Sequence, residues 1–338
     1  MKTVTSRDNP VLKAARKLRT RKGREEAGAL LVEGEKLISE AVSAGLEIER
    51  VFIDAGALMR GEAAPGGMAE EIALEEKLFR ELAGTVTPQP YIAVVKRPEY
   101  GACQRLRRWR SPLSAARNRP LDSEEAAAYQ RNRPLDSEEA AAYHGPVAGG
   151  PVAGGPVTND REAAPGGGSG LRVLVLDRVA DPGNVGTMVR SALAAGMDGV
   201  WCVKGTADAF SDKAVRASAG AVFRIPVLEG LSAKDCAVIA KEAGIRLLTC
   251  NAGGKDLFEA DLSGGIALVI GNESAGPQSV FLDMADAVIG IPMAEGAESL
   301  NAAAAAAVAM FEVRRQWIAS SPLRRFCSSV SATRSSSQ

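Results

Sequence analysis

The side chains best placed to do chemistry fall in three segments: Asn184 and Arg190 in DPGNVGTMVR (181–190), Glu273 in GNESAG (271–276), and Ser299 and Asn301 in the stretch opened by Ile291-Pro292-Met293. They offer an amide, a guanidinium, a carboxylate and a hydroxyl. Such groups orient a substrate and stabilise developing charge rather than attack it. The chain has one histidine, His144, set in low-complexity sequence. A Ser-His-Asp triad, a Cys-His pair and a multi-histidine metal site are therefore excluded. Five cysteines (Cys103, Cys202, Cys236, Cys250, Cys327) show no C-x-x-C spacing, so neither a zinc site nor a disulfide framework is expected. Taken singly, each segment has a bland reading. Asn184 caps a helix, G-x-E-x-x-G is a β-turn, and Ser299 is an N-cap worth about 1 kcal/mol.

Their positions are more informative than their types. Residues 171–176 are a continuous apolar run, as in a strand buried on both faces, and 185–195 read as a helix stopped by Gly196. Strands over 199–203, 223–227, 246–250, 266–270 and 287–291 alternate with helices over 213–218, 233–243, 280–284 and 301–316. That alternation predicts an α/β domain with a mostly parallel sheet and helices on both faces. Each chemical segment follows a strand, at the edge where open α/β sheets bind ligands. Met188, Val189, Ala192 and Leu193 suggest a largely buried helix, in which Arg190 would need an anionic partner. G-x-G-x-x-G is absent, which counts against a dinucleotide site.

The rest of the chain divides by composition. Residues 1–100 read as a smaller α/β domain: a basic helix over 10–22 with Val11, Leu12, Ala15 and Leu18 as its apolar stripe, strands over 29–32, 48–53 and 91–95, helices over 35–44 and 71–82, and a turn over 63–67. The first 24 residues hold nine basic side chains against one acid, although the formal net charge is zero. Arg16, Lys17, Arg19, Arg21 and Lys22 are candidates to grip a polyanion, and an ordinary solvated helix face explains them equally well. Residues 101–170 carry RNRPLDSEEAAAY twice and then GPVAG twice, with Pro/Gly density that predicts a flexible linker. Residues 171–318 form the larger domain, and the Ser/Arg-rich 319–338 read as a disordered tail. No apolar run approaches the roughly 20 residues of a membrane span, and no secretory signal is visible, so a cytoplasmic setting without membrane is expected.

The order of the three segments resembles the signature motifs of SpoU/TrmH-type RNA methyltransferases of the SPOUT superfamily. SRDNP…RKLRTRKGREEAGALLVEGEKLISEA and TVTPQPYIAVV resemble the substrate-binding domain, of ribosomal-protein-L30-like (L30e-like) fold, that precedes many such catalytic domains. Pro90 and Pro277 stand where that family usually has Gly and Leu, and its linker is normally short. The resemblance implies methyl transfer from S-adenosylmethionine to a ribose 2′-hydroxyl of structured RNA, foremost 23S ribosomal RNA, with no metal. It implies Arg190, Asn184, Glu273, Ser299 and Asn301 as catalytic residues, and Gly271, Ile291, Met293 and Leu300 as the cofactor site. It also implies a C-terminal trefoil knot and a homodimer packed partly through the alanine-rich helix after Asn301. KGTADAFSDKAVRASAGAVFRIPV (204–227) is similar to the family too, with Arg216 and Ser218 able to reach RNA. A tRNA 2′-O-methyltransferase, a catalytically silent RNA-binding relative in ribosome assembly, and a nucleotide- or NAD-binding α/β enzyme remain the alternatives.

Overall fold

The computed structural model describes residues 2–59, 70–98, 170–297 and 299–320. The turn over 63–67, His144, nearly all of the repeat-bearing linker and the tail beyond Ser320 lie outside the described residues.

The N-terminal domain is a five-stranded sheet in the order β1-β4-β3-β5-β2, formed by β1 (Lys2–Val4), β2 (Ala29–Glu33), β3 (Ile48–Asp54), β4 (Glu70–Leu74) and β5 (Tyr91–Lys96). β1, β4 and β3 run parallel, and β5 joins β3 to β2 by antiparallel pairing. Alternation along β2 decides which layer covers which face. Ala29 and Leu31 point to the core under α1 (Pro10–Lys17) and α5 (Glu76–Leu82), whereas Leu30 and Val32 point to the opposite core with α3 (Glu35–Ser43). The expected basic helix over 10–22 is divided: α1 stops at Lys17, and the Thr20 hydroxyl accepts the Gly23 amide to start α2 (Arg21–Ala27). The expected helix over 71–82 is a strand and a helix, because Ile72 and Leu74 join the sheet core before Glu75 starts α5. β1 and the short α4 (Ala55–Met59) carry too little periodicity to be expected at all.

The C-terminal domain is a six-stranded, wholly parallel sheet in the order β11-β9-β10-β6-β7-β8. Its strands are β6 (Arg172–Leu176), β7 (Gly199–Val203), β8 (Val227–Leu231), β9 (Arg246–Asp256), β10 (Ile266–Ile270) and β11 (Ala287–Gly290). The helices are α6 (Pro182–Ala195), α7 (Asp212–Ala217), α8 (Ala233–Glu242), α9 (Ser279–Asp283) and α10 (Ala302–Ser320). Residues 223–227, expected as a strand, instead hold the end of a 3-10 turn (Ala221–Phe223), with β8 starting only at Val227. α10 continues to Ser320, beyond the expected domain end at 318. The chain passes outward from β6 to β7 and β8, then returns to place β10 on the other side of β6. The order therefore reverses between β6 and β10, and the carboxyl ends of those two strands border the crevice where such sheets usually bind ligands.

α6 lies against α7 at Gly186, where a Cβ would sit 2.3 Å from the Ala214 carbonyl oxygen and 2.7 Å from the Ala217 Cβ. We expect Gly186→Val to force the two helices apart at a cost of about 1–3 kcal/mol. The cost will show as a lower urea midpoint at unchanged slope, and an unchanged midpoint would refute the tight contact.

Candidate active site at the β6–β10 crevice

α6 starts at the crevice, and its cap decides what Asn184 can do. Asp181, in extended conformation, is the N-cap and accepts the Asn184 amide at 3.2 Å. The Lys213 ammonium pairs with Asp181 and, aided by the amides of Gly183 and Asn184, holds that carboxyl below its usual range. Asn184 is thus not the cap, and its side chain is free. Its Nδ2 donates to Glu273 Oε1 at 2.9 Å, and its Oδ1 accepts from Asn301 Nδ2 at 3.3 Å. The Ala180 amide approaches Glu273 Oε2 at 3.4 Å. Asn301 turns its Oδ1 to the Ala303 and Ala304 amides at 2.9 and 3.3 Å, capping α10. Asn301, not Ser299, therefore fills the cap position expected of the serine. Ser299 is exposed nearby.

Residues that sequence reasoning passed over hold the 271–278 loop. Asp177 is fully buried; its carboxylate accepts the Gln278 amide at 2.6 Å and Gln278 Nε2 at 2.5 Å, with Arg178 Nε at 3.3 Å. Arg178 has φ +57°, rare for a residue with a side chain and costing of order 1–3 kcal/mol. That conformation turns its carbonyl to Asn272 Nδ2 at 2.9 Å, while Asn272 Oδ1 accepts the Ser274 and Ala275 amides. Gly271 is indispensable for a different reason: a Cβ there would lie 2.2 Å from the Pro277 nitrogen. The only sequence signal for this brace is an ionisable Asp177 directly after a buried apolar strand.

The candidate cofactor residues adjoin the same edge. Ile291 is half-buried, Met293 and Leu300 are each 41 % exposed, and Gly271 presents bare backbone. Exposed apolar side chains beside tight glycine backbone suit a ligand with a planar apolar ring and a polar chain. Among the described residues no acidic, cysteine or histidine group could hold a metal ion. Burial pushes the Cys202 and Cys236 thiols well above their ordinary range, so neither is poised as a nucleophile.

Arg190 departs from expectation. It is exposed, on the outer stripe of α6 with Gly183, Thr187 and Ala194, so no buried anion is required. It lies about 9 Å along the axis from Asn184 and on another face, outside the Asn184–Glu273–Asn301 network. The basic segment is also partly engaged. Arg16 pairs with Glu81 at 2.6 Å, Arg19 with Asp212, Arg21 with Glu25 at 2.9 Å, and Lys22 reaches Glu26 at 3.7 Å. Lys17 and Lys22 are exposed. Ser218 is buried with its hydroxyl on the Val215 carbonyl, so it does not reach outward, whereas Arg216 is exposed.

Residues 172–311 match the model of the SpoU rRNA Methylase family, and residues 9–93 match the MRM3-like substrate binding domain. The chain thus carries a SpoU methylase domain over 172–311, preceded by an MRM3-like substrate binding domain over 9–93. A Bacillus subtilis relative named 23S rRNA (guanosine(2553)-2′-O)-methyltransferase RlmP is 28% identical over 315 residues, covering 93% of this chain and all of the relative. The Streptomyces viridochromogenes 23S rRNA (uridine(2479)-2′-O)-methyltransferase is 36% identical over 151 residues, covering 43% of this chain and 53% of that protein. The AdoMet-bound rRNA methyltransferase structure from Sinorhizobium meliloti superposes with a TM-score of 0.64 at 27% identity, covering 93% of this chain and 97% of the other. The SpoU methyltransferase AviRb from Streptomyces viridochromogenes, in complex with AdoMet, superposes at 0.63 with 26% identity, covering 91% and 98%.

If Asp177 braces this SpoU loop, Asp177→Ala will leave the half-buried Gln278 donors without their partner and cost about 1–3 kcal/mol of stability. We expect the loop amides of 272–278 to exchange with deuterium faster, with the N-terminal sheet unaffected. Unchanged loop protection would contradict the brace.

Proposed function

We propose that this chain transfers a methyl group from S-adenosylmethionine to a ribose 2′-hydroxyl of large-subunit ribosomal RNA in the cytoplasm. The observation that carries the reading is the hydrogen-bonded chain Glu273–Asn184–Asn301, which draws all three motif segments into one crevice. The rRNA substrate is supported by relatives named for 23S rRNA that align over most or about half of this chain.

Backbone at Gly271, Ile291 and Leu300, with the Met293 side chain, forms the cofactor site. Bound there, S-adenosylmethionine supplies an electrophilic methyl carbon on a sulfonium and leaves as a thioether. The residues of the chain do the rest. Asn184 and Asn301, each held by hydrogen bonds, orient the ribose for in-line approach, with Ser299 beside them. Glu273 holds the Asn184 amide in one rotamer. Arg190 stabilises the developing ribose oxyanion or the adjacent phosphate; its guanidinium stays charged, so the 2′-hydroxyl proton goes to water or phosphate. Its exposure, and the small residues along its stripe, leave it open to RNA. Arg16, Lys17, Arg19, Arg21 and Lys22 supply positive potential to the RNA-gripping face, with Lys17 and Lys22 the members best placed to meet phosphate.

The proposal includes a trefoil knot and a homodimer. The knot draws support from the path of 291–301, which leaves β11 at the sheet edge and returns to Asn184 on α6. The dimer draws support from α10, where Phe311 is 48 % exposed beside small alanines.

We expect calorimetry with chelator present to detect S-adenosylmethionine binding to wild type and to Arg190→Ala alike. Single-turnover transfer should fall at least about 100-fold in Arg190→Ala and nearly as far in Arg190→Lys, since an ammonium lacks the planar fork. Sedimentation of the same samples should give twice the chain mass. Near-normal transfer by Arg190→Ala removes Arg190 from the mechanism, and a monomeric wild type removes the dimer.

A further inference from the structure

At one end of the seam between the domains, the N-terminal domain supplies the cations and the C-terminal domain the anions. Arg19, Arg24 and Arg97 of the N-terminal domain meet Asp212, Asp208 and Glu229 of the C-terminal domain, the last pair at 2.6 Å. The Arg97 guanidinium also lies 4.1 Å above the Phe210 ring, and Arg21 stands 3.8 Å from the second Glu229 oxygen. Arg224 to Glu40, at 2.6 Å, closes the far end with reversed polarity. Beneath these pairs one apolar cluster runs from Leu30, Val32 and Ile38 to Phe210, Val215 and Phe223. Arg24 and Glu229 retain only 5% and 8% side-chain exposure, so each meets its own partner, Asp208 and Arg97, with little water around it. Arg24 also donates to the Leu18 and Arg19 carbonyls at 2.8 and 3.0 Å. The same guanidinium therefore fixes the corner that presents Lys17, Arg21 and Lys22.

The seam continues into the site through α7. Asp212 takes Arg19 of the N-terminal domain, and its neighbour Lys213 takes Asp181, the cap of the helix that carries Asn184. α7 also presses on α6 at Gly186. Two consecutive residues thus join the RNA-gripping corner to the start of the catalytic helix.

We propose that the seam, with Asp212 as its central positioning residue, acts as a ruler: it fixes the basic corner relative to Asn184 and so selects which ribose is methylated. The proposal rests on the ribose-methyltransferase reading above. A corner able to swing would offer several riboses along one RNA strand to the crevice. A seam with an apolar core and arginine forks, which hold direction as well as distance, does not permit that swing.

The test uses the full-length chain with large-subunit rRNA from cells lacking the gene. Asp212→Asn, Arg19→Gln and the double variant are compared for methyl position by mass spectrometry, for KM and kcat, and for S-adenosylmethionine affinity by calorimetry. Arg97→Gln is an independent second break in the seam, and circular dichroism selects the folded variants. We expect cofactor affinity within about twofold of wild type, a KM for RNA raised about tenfold or more, methyl groups appearing at neighbouring riboses, and a double variant no worse than the poorer single. Folded variants that methylate the wild-type ribose alone, with unchanged KM, overturn the ruler. Variants that lose cofactor affinity in step with transfer overturn it too, because the seam would then be merely structural. A wild-type chain that methylates no RNA removes the underlying reading, and the ruler with it, a result distinct from faithful site choice by the variants.

Discussion

The site depends on which residue caps α6. A helix start leaves amides to be satisfied, and a side chain spent on them cannot also reach across a crevice. Asp181 takes that duty, held in place by Lys213. Asn184 can then use both ends of its amide, one toward Glu273 and the other toward Asn301. With Asn184 as the cap, the 271–276 loop and the start of α10 would have no shared partner. The same economy recurs at α10, where Asn301 caps with its oxygen and bridges with its nitrogen.

Behind this bridge the support becomes steadily more buried. The 271–278 loop is tied to β6 through Asp177 and Asn272, and the strained Arg178 backbone persists because those contacts determine it. Farther back, Gln316 of α10 bonds the Ala260 carbonyl and the Leu262 amide, anchoring that helix beside the entry to β10. The N-terminal domain joins the same framework, since its β2 and α3 share an apolar cluster with Phe210, Val215 and Phe223. The buried Glu229 marks the cost of that joint: burial, and the nearby Asp208, raise its pKa against the pull of Arg97 and Arg21. Its protonated form is therefore favoured more in the folded than in the unfolded chain. The contribution is fully present below the ordinary carboxylate range and is lost as pH rises through the elevated value.

Much of this was legible in the sequence. The continuous apolar strands and the glycine stops at 45 and 196 gave local signals of ordinary strength, and the meeting of Asn184, Glu273 and Asn301 followed from motif order. What failed did so where long-range partners decide. EIALEEKLFREL reads as one helix until Ile72 and Leu74 are claimed by the sheet. The basic run suits a polyanion grip and a solvated helix face equally well as sequence, and neither reading shows that Arg19 and Arg24 find carboxylates 193 and 184 residues away. Arg190 looked buried because its neighbours are apolar, although a helix covered on one side leaves every third or fourth position open.

The most direct measurement is a mass-spectrometric map of ribose methylation in the RNA of cells with and without the gene. The account predicts that one 2′-O-methyl group disappears from large-subunit rRNA when the gene is removed and returns when it is restored, with tRNA unchanged. Identical ribose methylation in both cells, or a change confined to tRNA, would contradict it.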